Sequence, residues 1–156
     1  DLICEKLPLW SKQVELIKKM GFGHADLVLA VPRGWFDLDL TADLDAVAAM
    51  FRARHGFRLR IATKYHRLVR EFLREAEVAD YALVDSQGAT EGTVANQTAE
   101  AIADITSSGT TLHANHLKVL SDGLILASQA TLWRSNKASF NEVEYAVLLR
   151  LIERLV

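Results

Sequence analysis

The sequence predicts an α/β protein built on a parallel or mixed sheet. Apolar runs short enough to be single strands alternate with longer stretches whose apolar residues recur at helical spacing. Gly- and Pro-centred clusters, such as Gly21-Phe22-Gly23, Pro32-Arg33-Gly34 and Gly56, punctuate the changes between them.

In chain order the expected elements begin with a helix over Ser11–Met20, where Val14, Leu16, Ile17 and Met20 are apolar among lysines. Ala25–Val31 reads as a strand stopped by Pro32. An Asp-rich loop leads into a helix over Ala42–His55 that Gly56 caps. Leu59–Thr63 is the next strand. Residues 65–76 form a helix that packs Leu68, Phe72 and Leu73, while Arg67, Arg70 and Arg74 make either a solvated face or an attractor of anions. Tyr81–Val84 and Ala101–Ile105 are strands, Glu91–Thr98 a short helix and Thr110–Asn115 a helical turn. Leu117–Leu120 and Leu124–Trp133 are further strands, Trp133–Ala138 is a linker, and Ser139–Leu155 is an amphipathic helix with Phe140, Val143, Val147, Leu148, Leu151, Ile152 and Leu155 on one face.

With 156 residues, 50% of them hydrophobic and 24% charged, the chain can bury one core plus an appendage. A formal net charge of −2 gives no global attraction for nucleic acid or an anionic membrane, so anionic ligands would need local donors. The single cysteine, Cys4, fits a reducing, cytoplasmic setting and a packed thiol. No apolar run has spanning length, and the five histidines lack metal-ligand spacing; His113 and His116 have no third partner.

The richest stretch for chemistry is 100–112 together with Glu91. An apolar strand carrying Asp104 ends in Thr106-Ser107-Ser108-Gly109-Thr110-Thr111, a loop of hydroxyls and one glycine that opens a helix. Free N–H groups at a helix start, a glycine that allows close approach and hydroxyl donors together suit a phosphate, although such a turn can also be a simple helix cap. A carboxylate beside the loop cannot bind phosphate, but it can accept hydrogen bonds from sugar hydroxyls or help hold a divalent cation.

These residues resemble the signature of the ATP phosphoribosyltransferase family. In it a Glu lies thirteen positions before an Asp, which is followed by an aliphatic residue, two variable positions, Ser/Thr, Gly, any residue, Thr and Leu. Glu91, Asp104, Ile105, Ser108, Gly109, Thr111 and Leu112 occupy those places, and Ala99 and Ile102 also fit. Gln97 stands where the family has Gly, which puts a glycine-only backbone angle in question there. Ile61-Ala62-Thr63-Lys64-Tyr65 resembles the family's strand ending in Thr-Lys-Tyr. Residues 112–117 resemble its Leu-Arg-Ala-Asn-Gly-Leu, with His113 for Arg, and Asp1-Leu2-Ile3-Cys4-Glu5 resembles an Asp-x-x-x-Glu after a Gly-rich crossover.

The resemblance implies a lobe like the second lobe of periplasmic binding proteins, plus a C-terminal helix belonging to the other lobe. Residues 1–10 would be a crossover remnant of the first lobe, 11–132 the phosphoribosyl-diphosphate-binding lobe, and 133–156 a return linker and helix. It further implies an N-terminal segment preceding this stretch and the short form of the family, which works with a regulatory subunit resembling histidyl-tRNA synthetase in a homo- or hetero-oligomer. Histidine feedback would act through that partner.

The activity implied is the first step of histidine biosynthesis: displacement at ribose C1′ of 5-phosphoribosyl diphosphate by N1 of ATP, with Mg²⁺ carried mainly by the substrate diphosphate. Asp104 would accept hydrogen bonds from the ribose hydroxyls. Glu100 either shares that role or is a solvated charge at the strand start. Thr106, Ser107, Ser108, Gly109, Thr110 and Thr111 would hold the 5′-phosphate. Lys64 and Tyr65, at a strand end, line the ATP side or are a surface lysine beside a packed tyrosine; Glu91 positions substrate or caps a helix; Asp1 and Leu2 match places near the nucleotide. A non-enzymatic module that closes on an anionic solute is the alternative, and a lobe that only docks a partner through 139–155 is a second rival.

Overall fold

The computed structural model describes residues 2–6, 9–86, 88 and 90–155. In chain order the elements are α1 (Ile3–Lys6), α2 (Trp10–Gln13), β1 (Val14–Lys19), β2 (Asp26–Pro32), α3 (Thr41–His55), β3 (Leu59–Thr63), α4 (His66–Glu75) and β4 (Tyr81–Asp85). They continue with α5 (Gly92–Ala95), β5 (Ala101–Thr106), α6 (Thr110–Ala114), β6 (Leu117–Leu126), β7 (Thr131–Ser135) and α7 (Glu142–Arg154).

Two compact units result: residues 25–127, and residues 1–24 together with 128–156. The lobe is thus narrower than the 11–132 expected, because 11–24 and 128–132 group with the terminal segments. Its sheet has five strands in the order β4-β3-β5-β2-β6. β3 runs parallel to β4 and β5, while β2 is antiparallel to both β5 and β6, so the sheet is mixed.

Alternation along the central strands divides the core. Leu29 and Val31 of β2 and Ala101 and Ala103 of β5 join Leu44 and Ala48 of α3 and Val69 and Leu73 of α4 in one cluster. Val28, Ala30 and Ile102 point the other way, to Leu112 of α6 and Leu117. Leu29, Leu59 and Ile61 are fully buried, and each such side chain contributes roughly 1.5–3 kcal/mol.

Two expected elements differ from the structure. The Ser11–Met20 helix is a short α2 followed by strand β1, which pairs antiparallel with β7, and Glu15 is ion-paired to Arg134 across the ladder. A register shift between Leu16 and Lys18 breaks the period of two, so a bulged strand left Val14 and Ile17 at helical spacing. The expected strands Leu117–Leu120 and Leu124–Trp133 are instead one long β6, ending at Leu126, and a separate β7 that also occupies half of the expected linker. Ser121-Asp122-Gly123, left between the two expected strands, is a bulge inside β6. Gly123 is required there, since a Cβ would meet the Leu29 carbonyl oxygen at 2.8 Å. The bulge also caps α3 from across the lobe: Asp122 Oδ1 accepts from Thr41 N at 2.7 Å and Thr41 Oγ1 at 2.8 Å, where Leu40 at the N-cap offers no acceptor.

In the other unit, α7 starts with a capping box: Glu144 N donates to Asn141 Oδ1 and Asn141 N to Glu144 Oε2, both at 2.9 Å. Leu148, Ile152 and Leu155 are half-buried, whereas Val143 and Val147 stay exposed, so its apolar face is partly covered.

Candidate functional site

The carboxyl ends of β3, β4 and β5 lie side by side, and the loops leaving them form the candidate site. Asp104 lies on β5 on the side of Ile102, near the strand end, and its Oδ1 accepts from Ile105 N at 2.9 Å. A carboxylate with one such bond retains capacity for ligand donors. After Thr106 the chain turns through Gly109, at φ 72°, and Gly109 N donates to Thr106 Oγ1 at 2.9 Å. Ser108 Oγ and Thr110 Oγ1 share a hydrogen bond of 2.8 Å.

The N-cap of α6 is Gly109, which has no side chain of its own to occupy the first N–H groups of the helix. Thr110 N instead donates to Ser108 Oγ at 3.4 Å, and the N–H groups of the first turn lack intrahelical acceptors by geometry. With only five residues, α6 has little of the dipole of a long helix, so the local N–H groups and hydroxyls are the donors that count.

A cavity of about 300 Å³ is lined by Glu91, Asp104, Ile105, Thr106, Ser107, Ser108, Thr111 and Leu112. Thus Glu91, thirteen positions upstream of Asp104, reaches the same hollow from the start of α5. Gly109 and Thr110 line a second hollow on the outer side of α6, with Ser108 and His113. A larger trough, about 620 Å³, lies elsewhere, along the free edge of β4 among Arg58, Arg70 and Arg74. It is open and far from the paired carboxylates; size alone does not make it the site. Arg67 pairs with Glu71 at 3.3 Å and Arg74 lies 3.7 Å from Glu75, as on a solvated helix face.

Glu100 requires a correction. It precedes β5 at the other end of the strand, roughly 13 Å from Asp104 at the usual strand rise. Its carboxylate is committed to Arg60: Oε1 to Nη2 at 2.6 Å, and Oε2 to the backbone N at 2.8 Å and Nε at 3.1 Å. The hydrogen bond, joined by the charge of Glu100, raises the Arg60 guanidinium above its already high pKa against a smaller opposing effect of burial. Glu100 is a structural partner in this arrangement, remote from the loop.

The remaining expected residues separate as follows. Lys64 Nζ donates to the Gly88 carbonyl at 2.9 Å, and Tyr65 is half-buried against the core cluster of α3 and α4. Leu2 sits in the turn before α1, in the other unit, and Asp1 lies outside the described residues. Gln97 does take the left-handed angle in question, φ 57°, and His116, where the motif has Gly, takes φ 56°. Among the described residues no group of three or more His, Cys, Asp or Glu side chains could hold a metal ion, and no helix is long and apolar enough to cross a membrane. Sequence reasoning missed a buried hydroxyl pair, Ser86 Oγ and Thr90 Oγ1 at 2.5 Å, and a hydrogen-bond contact between His66 Nε2 and Asp85 Oδ1 at 2.7 Å. Neither pair has a motif; only the fold brings the partners together.

Fold and site define an α/β lobe of the binding-protein kind, with a hydroxyl-rich loop and two carboxylates at its strand ends. The chain belongs to the ATP phosphoribosyltransferase family, whose sequence model matches residues 1–156. It is 68% identical over 142 residues to an ATP phosphoribosyltransferase of Cereibacter sphaeroides, covering 91% of this chain and 60% of that protein. It is 55% identical over 139 residues to that of Mesorhizobium japonicum, covering 88% and 60%. The chain therefore spans about 60% of the length of these curated relatives. Among solved structures it is similar to the ATP phosphoribosyl transferase (HisG:HisZ) complex from Thermotoga maritima, with TM-score 0.69 and 20% identity over 97% of this chain and 65% of that one. An ancestral arginine-binding protein bound to arginine gives TM-score 0.57 at 12% identity, covering 94% and 58%, a likeness of fold.

Proposed function

We propose that this chain carries the phosphoribosyl-diphosphate half of an ATP phosphoribosyltransferase, which transfers the phosphoribosyl group to N1 of ATP and releases pyrophosphate in the first step of histidine biosynthesis. The observation that carries the reading is the convergence of Glu91, Asp104 and the loop residues Thr106, Ser107, Ser108 and Thr111 on one cavity in a member of this family. In this reading Ser107, Ser108 and Thr111, with the loop N–H groups, hold the 5′-phosphate, and Gly109 shapes the loop. Asp104 accepts hydrogen bonds from the ribose hydroxyls, which fixes C1′ for displacement. The centre passes through an oxocarbenium-like state, so the demand on the protein is geometry and electrostatics, with little proton transfer. This suits a site without a nucleophile-base pair.

Mg²⁺ would be a substrate-borne ion: with no three-residue cage among the described residues, Glu91 and Asp104 are the cavity carboxylates able to complete its shell. It would supply charge neutralisation on the departing diphosphate. ATP would bind on the side of Tyr65, and Leu2 and Asp1 remain candidates there by resemblance alone. The isolated chain is expected to be inactive, because its relatives are longer. A regulatory subunit is the expected partner, by analogy with the two-component Thermotoga complex, and the reducing cytoplasm the expected location.

The test is an amide NMR titration of the chain with 5-phosphoribosyl diphosphate and Mg²⁺, beside the Asp104→Asn variant. Saturable shifts at residues 104–112 that weaken in the variant support the reading. Binding of simple phosphate with equal strength, indifferent to Mg²⁺ and to Asp104, would instead favour a non-enzymatic anion-binding module.

A further inference from the structure

Glu91 lines the cavity, and the residues just before it are held by contacts from the neighbouring strand exit. Lys64 and His66 flank Tyr65 where β3 passes into α4. His66 Nε2 meets Asp85 Oδ1 at 2.7 Å, at the end of β4. Lys64 Nζ donates to the Gly88 carbonyl at 2.9 Å, in the middle of the loop. Ser86 N donates to Thr63 O at 3.3 Å, and the buried Ser86–Thr90 hydroxyl pair closes the neck of the loop at 2.5 Å. Beyond the neck, Thr90 O accepts from Thr93 N at 3.0 Å and from Thr93 Oγ1 at 2.6 Å, which fixes the start of α5. Glu91 follows directly and lines the cavity opposite Asp104.

We propose that Lys64 and His66 are positioning residues, a two-point clamp on Asp85 and Gly88 that sets where Glu91 stands, and that Lys64 is not itself a ligand of the nucleotide or the diphosphate. The idea rests on the phosphoribosyl-diphosphate reading for its purpose, but the clamp is a property of the chain without ligand. The division of labour is chemical. The Gly88 carbonyl lies on an exposed part of the chain and accepts from the Lys64 ammonium. Lysine reaches it on a long stem from a strand end, whereas Ser86 and Thr90 are buried and satisfy each other. Both clamp contacts are solvent-accessible, so each should shift loop opening by a modest factor, roughly fivefold, without unfolding the lobe.

The experiment uses the whole chain as wild type, Lys64→Met, Lys64→Arg and His66→Ala. Without ligand, Lys64→Met should move the Gly88 carbonyl ¹³C resonance and speed amide exchange at Thr90 and Glu91 roughly fivefold, with β3 and β5 unchanged; Lys64→Arg, which keeps a donor, should restore both. His66→Ala should speed the same two amides. On titration with 5-phosphoribosyl diphosphate and Mg²⁺, Lys64→Met should keep the midpoint for residues 104–112 within about twofold while the response at Glu91 shrinks. Unchanged exchange at Thr90 and Glu91 in both Lys64→Met and His66→Ala would overturn the clamp. So would a midpoint weakened about tenfold in Lys64→Met with loop exchange unaltered, which is the mark of a direct ligand. If wild type does not respond to the diphosphate, the phosphoribosyl reading fails, and the ligand-free exchange still decides the clamp.

Discussion

The two ends of β5 place a carboxylate on the same side of one strand and give the two opposite fates. At the amino end, Glu100 accepts three hydrogen bonds from Arg60, which stands on the neighbouring strand. At the carboxyl end, Asp104 has one short local bond and opens on a cavity edged by hydroxyls. The difference teaches that a partner across the sheet decides how far a carboxylate is committed: among the described residues no ion pair engages Asp104, whereas Arg60 engages Glu100. Residue type, strand face and burial are alike at both ends, since each side chain is only partly covered. What decides is the partner supplied across the sheet.

The contrast breaks most visibly at Glu100. Glu100→Ala should destabilise the lobe by about 2 kcal/mol, since it strands the Arg60 guanidinium and backbone N–H; water reaches the 30%-exposed arginine side chain, which keeps the loss below that of a fully buried pair. Urea unfolding would show this as a lower midpoint with an unchanged slope. Stability within about 0.5 kcal/mol together with a lost ligand response would return Glu100 to the substrate site. Asp104→Asn should do the reverse. Stability stays within about 0.5 kcal/mol, while the affinity for 5-phosphoribosyl diphosphate falls roughly tenfold, about 1.4 kcal/mol. Isothermal calorimetry on the two variants side by side reads the crossing of effects directly.

A smaller effect tests the loop between them and the helix. Gly109 has φ 72° and open space around the position of a Cβ, so Gly109→Ala meets no clash and carries only the backbone cost. That cost is about 1 kcal/mol. Because the strain falls within the loop, the variant should lose diphosphate affinity by more than it loses global stability, measured by calorimetry against thermal unfolding.

How far the sequence reached follows the same logic of near and far. The strand-helix alternation was legible, because it depends on residues close in sequence; that Glu91 and Asp104 belong together was legible only through the resemblance to the family signature, and both line one cavity. β1 and the middle of β6 were not legible, because a bulge changes the period locally: Ile17 reads as a helical position, and residues 121–123 as a break between two strands. Asp122 instead caps α3, 81 residues upstream, and no local rule could supply that partner. The partner of Glu100 was illegible for the same reason. Its arginine lies 40 residues away, and from the sequence alone both carboxylates sit equally well at the margins of one apolar run.

The smallest expected effect sharpens the comparison at its structural end. Gln97 stands where the family pattern has glycine, yet it adopts φ 57°, and its carbonyl is thereby turned to accept from Arg60 Nη2 at 2.9 Å. The left-handed angle is thus part of the hold on the arginine that Glu100 completes. Glycine would reach that angle without the steric cost of a Cβ, but it would also loosen the unfolded chain, so Gln97→Gly should stabilise by about 0.5 kcal/mol. Thermal unfolding would show a small rise, and the Arg60–Glu100 pairing should persist. A fall would mean that the glutamine side chain contributes more than its backbone costs. In the double variant Gln97→Gly with Glu100→Ala the gain should shrink, because the carbonyl that Gln97 presents then serves an arginine no longer anchored by its carboxylate.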